Sequence, residues 1–154
     1  IAELHEKGVK IWMLGDMQGL PEEATREIEY AIKLTKNNKG LQVNIALNYG
    51  SRVEIVRAAK NIAEDILKGR LTLNDITEEC FSHYLYTDGI PDPDLLIRTS
   101  GEFRLSNFLL YQSAYTEFLF TKKQLLWPDF NRQKLLESIL EYQNRSRRYG
   151  GITE

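Results

Sequence analysis

The stretch VKIWMLGDMQGLPEEATREIEYAIKLTKNNKGLQVNIALNYGSR, residues 9–52, decides the fold. It opens with an apolar run, Val9–Leu14, of strand length, stopped by Gly15 and Asp16. A helix then begins at Pro21, with Glu22 and Glu23 in its first turn, where acids suit the helix dipole. Ala24, Ile28, Ala31 and Ile32 fall on one face of it, and Asn37-Asn38-Lys39-Gly40 ends it. Leu41–Leu47 follows as a second strand, alternating enough to be part-buried. Ser51 then reads as the N-cap of another helix.

The same alternation continues outward. The helix after Ser51 carries an apolar stripe of Ile55, Val56, Ala59, Ile62, Ala63, Ile66 and Leu67 and closes at Gly69. A shorter helix is expected around Asn74–Tyr86, with Ile76, Cys80, Phe81, Tyr84 and Leu85 on one side. The prolines of Asp88-Gly89-Ile90-Pro91-Asp92-Pro93 rule out regular structure there, because they fix φ and remove donors. Asp94–Arg98 is a third strand, a helix is expected from about Ser106 to Ala114, and Glu117–Phe120 is a fourth strand. After Trp127-Pro128 a last helix presents Leu135, Leu136, Ile139 and Leu140 and ends in Arg145, Arg147 and Arg148. Strands alternating with helices predict an α/β fold: an open, mainly parallel sheet flanked by helices. Val9–Leu14, Leu41–Leu47 and Asp94–Arg98 are expected to lie parallel in that one sheet. No linker divides residues 1–154, so a single domain is expected.

Composition narrows the function. With a formal net charge of −2, bulk electrostatics does not make this a nucleic-acid binder, and any anion must be held by a local cluster. The single Cys80 excludes a disulfide framework within the chain and fits a reducing, cytoplasmic setting. His5 and His83 lack the spacing of a zinc site, and no apolar run approaches the length of a membrane span. Asp88, Asp92 and Asp94 lack the order of a calcium loop and read as rigid turns, and Lys122 and Lys123 read as surface charges.

Ligands of open α/β sheets bind beyond the carboxyl ends of the strands, and two junctions here share one grammar. Asn48-Tyr49-Gly50-Ser51-Arg52 and Arg98-Thr99-Ser100-Gly101-Glu102-Phe103-Arg104-Leu105-Ser106-Asn107 each run from strand through glycine to serine, with arginine beside it. In the second, Arg98 and Arg104 are placed to converge on one point, and two guanidinium forks suit a diphosphate. Spacing alone leaves open that both arginines pair with Glu102 and nearby acids while Ser106 merely caps a helix. Glu117, flanked by apolar and aromatic residues, needs a cation or a metal beside it if buried, and water if it lies on the strand edge. Arg145, Arg147 and Arg148 either complement the dipole of the last helix or fold back on a phosphate through Gly150-Gly151.

These residues resemble the signature of the cis-prenyltransferases. The resemblance rests on Ile97-Arg98-Thr99-Ser100-Gly101-Glu102 with Arg104–Leu110, on Asn48–Arg52, on Ala114-Tyr115-Thr116-Glu117, on Leu126–Phe130 and on Arg147–Gly151. It covers essentially the whole chain and is nearest to the bacterial undecaprenyl diphosphate synthase type. The resemblance implies repeated condensation of isopentenyl diphosphate onto an allylic diphosphate such as farnesyl diphosphate, with cis double bonds, to a polyprenyl diphosphate for cell-wall lipid carriers. It implies that Arg98, Arg104 and Ser106 hold isopentenyl diphosphate, that Glu117 serves Mg²⁺, and that Arg148 and Gly150 form an Arg-x-Gly tail reaching the phosphates at a dimer interface. Asn48 and Arg52 would bind substrate nearby, and Ile28, Ile32, Leu41 and Val43 are candidates for an apolar channel.

It further implies a homodimer in the cytoplasm, at most peripheral to the membrane that receives its product. The Asp-Gly-Asn-Gly-Arg loop that supplies the family's catalytic Asp is not in this sequence, nor are the strand and helices around it. The expectation is therefore an N-terminally incomplete domain, inactive by itself. A non-catalytic accessory subunit of a heteromeric cis-prenyltransferase is the alternative, and an unrelated phosphate-binding α/β module the remoter one.

Overall fold

The computed structural model describes residues 1–145. By its contacts the chain divides into two compact units, Ile1–Ile90 and the part from Pro91 onward. Each contains one pair of parallel strands.

In the first unit a short helix, α1 (Ala2–Glu6), precedes β1 (Lys10–Leu14), α2 (Glu22–Thr35), β2 (Gln42–Ala46), α3 (Ser51–Leu67) and α4 (Glu78–Ser82). β1 and β2 run parallel with Lys10 opposite Gln42 and Leu14 opposite Ala46. The core gathers on β1, where Ile11, Met13 and Leu14 are buried, and on Ala31 of α2, Ala58 and Ile62 of α3, and Leu85. Thr35, fully buried, ties α2 to β1: its hydroxyl donates to the Ala31 carbonyl at 2.8 Å and accepts from the Ile11 N–H at 3.0 Å. One side chain thus satisfies a strand-edge donor that β2 does not reach.

In the second unit β3 (Leu95–Arg98) and β4 (Glu117–Phe120) pair in parallel, Leu95 opposite Glu117 and Arg98 opposite Phe120. The ladder is extended at both ends, by Glu117 N–H to Asp94 O and by Thr121 N–H to Arg98 O. A 3-10 turn at Trp127–Asp129 leads to α5 (Arg132–Gln143), capped by the Asn131 side chain on the Lys134 N–H at 3.1 Å.

The α/β class and the four strands agree with expectation. Four details differ. First, the strands are hydrogen-bonded as two parallel pairs, β1–β2 and β3–β4, and not as one ladder containing β1, β2 and β3. Second, Asn74–Tyr86 is not one helix. A 3-10 turn, Leu73–Asp75, closed by a reciprocal Thr72–Asp75 capping box, gives way at Ile76 to extended backbone, and Thr77 starts α4 afresh by accepting from the Cys80 N–H. Third, no helix spans Ser106–Ala114. Ser106, Asn107 and Leu109 have φ of 49, 64 and 45°, and left-handed residues interrupt the i→i−4 ladder. Fourth, the buried face of α3 is Ser51, Glu54, Ala58 and Ile62, while Val56 and Leu67 of the expected stripe are 55% and 87% exposed.

Candidate functional site

At the first junction the chain leaves β2 through Leu47 and turns sharply. Asn48 takes φ 45°, and its side-chain Nδ2 donates to the carbonyls of Asp16 at 3.1 Å and Gln18 at 3.0 Å. The Asp16 N–H returns a bond to Asn48 O. Gly15, at φ 123°, lets the two loops approach, since a Cβ there would lie 2.0 Å from the Leu47 carbonyl oxygen. Gly50, extended, takes the N-cap position that the sequence suggested for Ser51. Ser51 is instead the first helical residue and wholly buried, because the helix enters the core at this point. Arg52, next along, is exposed.

Sequence reasoning missed what lies one turn further. Glu54 is fully buried, and its carboxylate accepts from the Tyr49 hydroxyl at 2.6 Å and the Tyr86 N–H at 2.7 Å. Arg57 continues the network, with its guanidinium 3.8 Å from the Tyr86 ring centroid and Nη2 donating to the Tyr84 carbonyl at 3.1 Å. The Tyr84 hydroxyl donates to Asp65 at 2.6 Å, and that bond pushes the tyrosine up to about 12 and lowers Asp65. The only sequence signal was Glu54 at helical spacing from the buried Ser51, a weak one beside the apolar stripe.

At the second junction β3 ends on Arg98, whose guanidinium has no ion-pair partner among the described residues. Ser100 and Gly101 follow at φ 69 and 64°. The Ser100 N–H is anchored on Leu125 O at 2.9 Å, and a Cβ on Gly101 would meet the Lys123 backbone at 2.9 Å, so the turn is pinned against the loop after β4. Arg104 is exposed and pairs with Glu102. Ser106 is exposed on a left-handed turn and caps no helix, so no helix N-terminus offers its N–H groups there. Among the described residues, the acid pairing that spacing left open is made by Arg104, with Glu102, and not by Arg98.

Glu117, the first residue of β4, is partly buried and faces a cation. Arg145 donates to its carboxylate at 3.0 Å, to the Phe118 carbonyl at 2.8 Å and to Glu141 at 2.6 Å, and the two carboxylates hold the guanidinium pKa above its ordinary value. No group of three His, Cys, Asp or Glu able to hold a metal occurs among the described residues. Glu117 with its arginine partner therefore does not fit a self-contained magnesium site. Arg147, Arg148 and Gly150 lie outside the described residues.

Two apolar cavities flank β1. One, of about 410 Å³, is walled by Trp12, Met13, Met17 and Ile32 with Glu29, Lys33 and Lys36 also on its lining, and a smaller one, of about 170 Å³, by Ile11, Ile28, Ala31 and Ile45 among others. Ile28 and Ile32 thus line cavities as a channel would require. Leu41 and Val43 line neither, and Leu41 is largely exposed. No described helix is long and apolar enough to cross a membrane.

Comparison with known proteins agrees with the residue pattern. The prenyltransferase family model for undecaprenyl diphosphate synthase matches residues 1–150. An isoprenyl transferase of Clostridium perfringens is 52% identical over 152 residues, 99% of this chain and 59% of the relative. The crystal structure of lavandulyl diphosphate synthase from Lavandula x intermedia, in complex with dimethylallyl diphosphate, superposes with a TM-score of 0.88 at 42% identity over 93% of this chain and 61% of that one. A probable undecaprenyl diphosphate synthase from Campylobacter jejuni gives 0.82 at 33% identity, over 97% and 67%. The chain thus spans about three fifths of the length of the curated relative it matches. With two arginine-bearing junctions on parallel strands and a family match across nearly its whole length, the chain belongs to the undecaprenyl diphosphate synthase family of prenyltransferases.

Proposed function

We propose that this chain is the isopentenyl-diphosphate-holding part of a cis-prenyltransferase that extends an allylic diphosphate such as farnesyl diphosphate into a long-chain polyprenyl diphosphate. One observation carries the reading. Arg98 stands at the carboxyl end of β3 with no ion-pair partner among the described residues, beside a turn pinned by Ser100 and Gly101. A guanidinium left without a carboxylate partner at a strand end is a ready diphosphate donor. Arg104 joins it by exchanging Glu102 for phosphate oxygens, and Ser106, already exposed, adds a hydroxyl. Departure of the allylic diphosphate builds negative charge, and fixed cationic donors stabilise that charge while holding the second substrate within reach. The role supported for Glu117 is to hold Arg145, and no step is assigned to magnesium. A cytoplasmic homodimer, and delivery of the product to a membrane lipid pool, belong to the same reading.

The test is incorporation of radiolabelled isopentenyl diphosphate by this chain completed with the N-terminal part that the curated relatives possess. Arg98→Ala and Arg104→Ala are expected to raise the KM for isopentenyl diphosphate at least about tenfold, as loss of a charge-assisted hydrogen bond does. Unchanged KM and turnover in both variants would sink the assignment. The 154 residues alone are expected to form no product.

A further inference from the structure

We infer that Asn48 is a positioning residue and not a ligand for the diphosphate: its side chain clasps the loop after β1 to the turn that starts α3. This rests on the prenyl-transfer reading above and revises the role that the resemblance gives Asn48. A side-chain amide has two N–H donors and no more. Here Nδ2 lies 3.1 Å from Asp16 O and 3.0 Å from Gln18 O, so both donors are engaged within the protein. Carbonyl oxygens only accept, which fixes the amide orientation. What remains is Oδ1, an acceptor, and a phosphate oxygen gains nothing from it.

The backbone makes the clasp reciprocal. Asn48 O accepts from the Asp16 N–H at 3.4 Å, and φ 45° is a region that asparagine tolerates and most residues avoid. Gly15 permits the contact by presenting no Cβ to Leu47 O. The other side of the clasp is the start of α3, where Gly50 caps, Ser51 is buried and Arg52 emerges at the surface. Asn48 therefore acts on Arg52 through the turn that starts α3, and on the wall of the Trp12 cavity through Met17 in the clasped loop.

Two variants separate clasp from ligand. Asn48→Gly keeps the left-handed backbone and removes both donors, and Asn48→Asp keeps the shape and sets a carboxylate against two carbonyls. In the ligand-free 154-residue chain, hydrogen exchange at the amides of Asp16, Gln18 and Leu20 is expected to quicken about tenfold or more in both, as a local opening costs less. In the completed enzyme, turnover is expected to fall about tenfold while the KM for isopentenyl diphosphate stays within about threefold. Unchanged ligand-free exchange overturns the proposal, and so does a large rise in that KM with turnover preserved. If the completed wild-type enzyme incorporates no isopentenyl diphosphate, the prenyl-transfer reading falls, and exchange alone still decides whether Asn48 holds the loop.

Discussion

A buried carboxylate in the first turn of α3 is the residue whose loss the fold should feel most. Glu54 accepts from the Tyr49 hydroxyl and the Tyr86 N–H in a place with no solvent access. Truncation leaves two half-buried donors without this acceptor, each costing about 1–3 kcal/mol. Glu54→Ala is accordingly expected to lower unfolding stability by about 3 kcal/mol, measured by urea denaturation, and Tyr49→Phe by about 2 kcal/mol, since it removes one of the bonds to the buried carboxylate and leaves the Tyr86 N–H on it. Equal stability of wild type and Glu54→Ala would show that the network adds nothing to folding. A gentler dependence sits at the end of α4. His83 Nδ1 lies 2.7 Å from Asp88 Oδ1, and that hydrogen bond raises the histidine pKa above its ordinary value. A folded pKa above the unfolded one binds protons on folding, so the stabilisation is complete below about pH 6.5 and disappears as pH rises through the folded value. Both side chains are exposed, so the increment is small. The thermal midpoint of wild type should exceed that of His83→Gln at pH 5 and match it at pH 9, and a gap that grows with pH would contradict this.

At the scale of elements, the segment after β3 sets stability against function. Ser106 holds φ 49° in the open, where a side chain costs about 1 kcal/mol and glycine nothing. Ser106→Gly should therefore leave unfolding stability unchanged or raise it by up to about 1 kcal/mol, while the lost hydroxyl weakens isopentenyl diphosphate binding in the completed enzyme. Calorimetry and the KM decide, and a clear loss of stability would show that Ser106 makes a contact the turn depends on. The same segment marks where sequence reading stopped working. Strands β1 to β4 and helices α2, α3 and α5 were legible because apolar periodicity and boundary residues agree: Pro21 opens α2, Gly69 closes α3 and Trp127-Pro128 precedes α5. Ser106–Ala114 has an equally good pattern, but Ser100 N–H to Leu125 O and the Gly101 approach to Lys123 pin the preceding turn and lead the chain into left-handed residues. Pattern reports which residues are apolar, and only tertiary contact reports which backbone they adopt. The two junctions stood out in the sequence as strand ends bearing glycine, serine and arginine, but spacing alone left ordinary ion pairing and capping open, and it was the family resemblance that pointed to a diphosphate. Asn48's engagement was not legible, because its partners Asp16 and Gln18 stand some thirty residues earlier in the chain.

For the molecule as a whole, the most informative surface is apolar. α5 buries only Ser138, and its Leu136, Ile139 and Leu140 lie exposed, with Trp127 before them 70% exposed. α3 leaves Val53, Val56 and Leu67 in solvent because its inward face is taken by Ser51, Glu54, Ala58 and Ile62. Apolar side chains exposed together on a helix face are the kind of surface that partners cover, and burying them against protein gains roughly 25 cal/mol for each Å². The chain spans about three fifths of its curated relative, so the two faces need not share one occupant: α3's can belong to the remaining two fifths, α5's to a second copy. These alternatives separate by experiment. If α5 is the self-association face, sedimentation velocity should find the 154-residue chain as a dimer at micromolar concentration, and Leu136→Lys with Leu140→Lys should return it to monomer with an unchanged circular dichroism spectrum. Lysine at Val53 and Val56 should leave the dimer intact. A monomer in every case would remove α5 as a self-association face, and dimers dispersed by the α3 substitutions would place the interface on that helix instead.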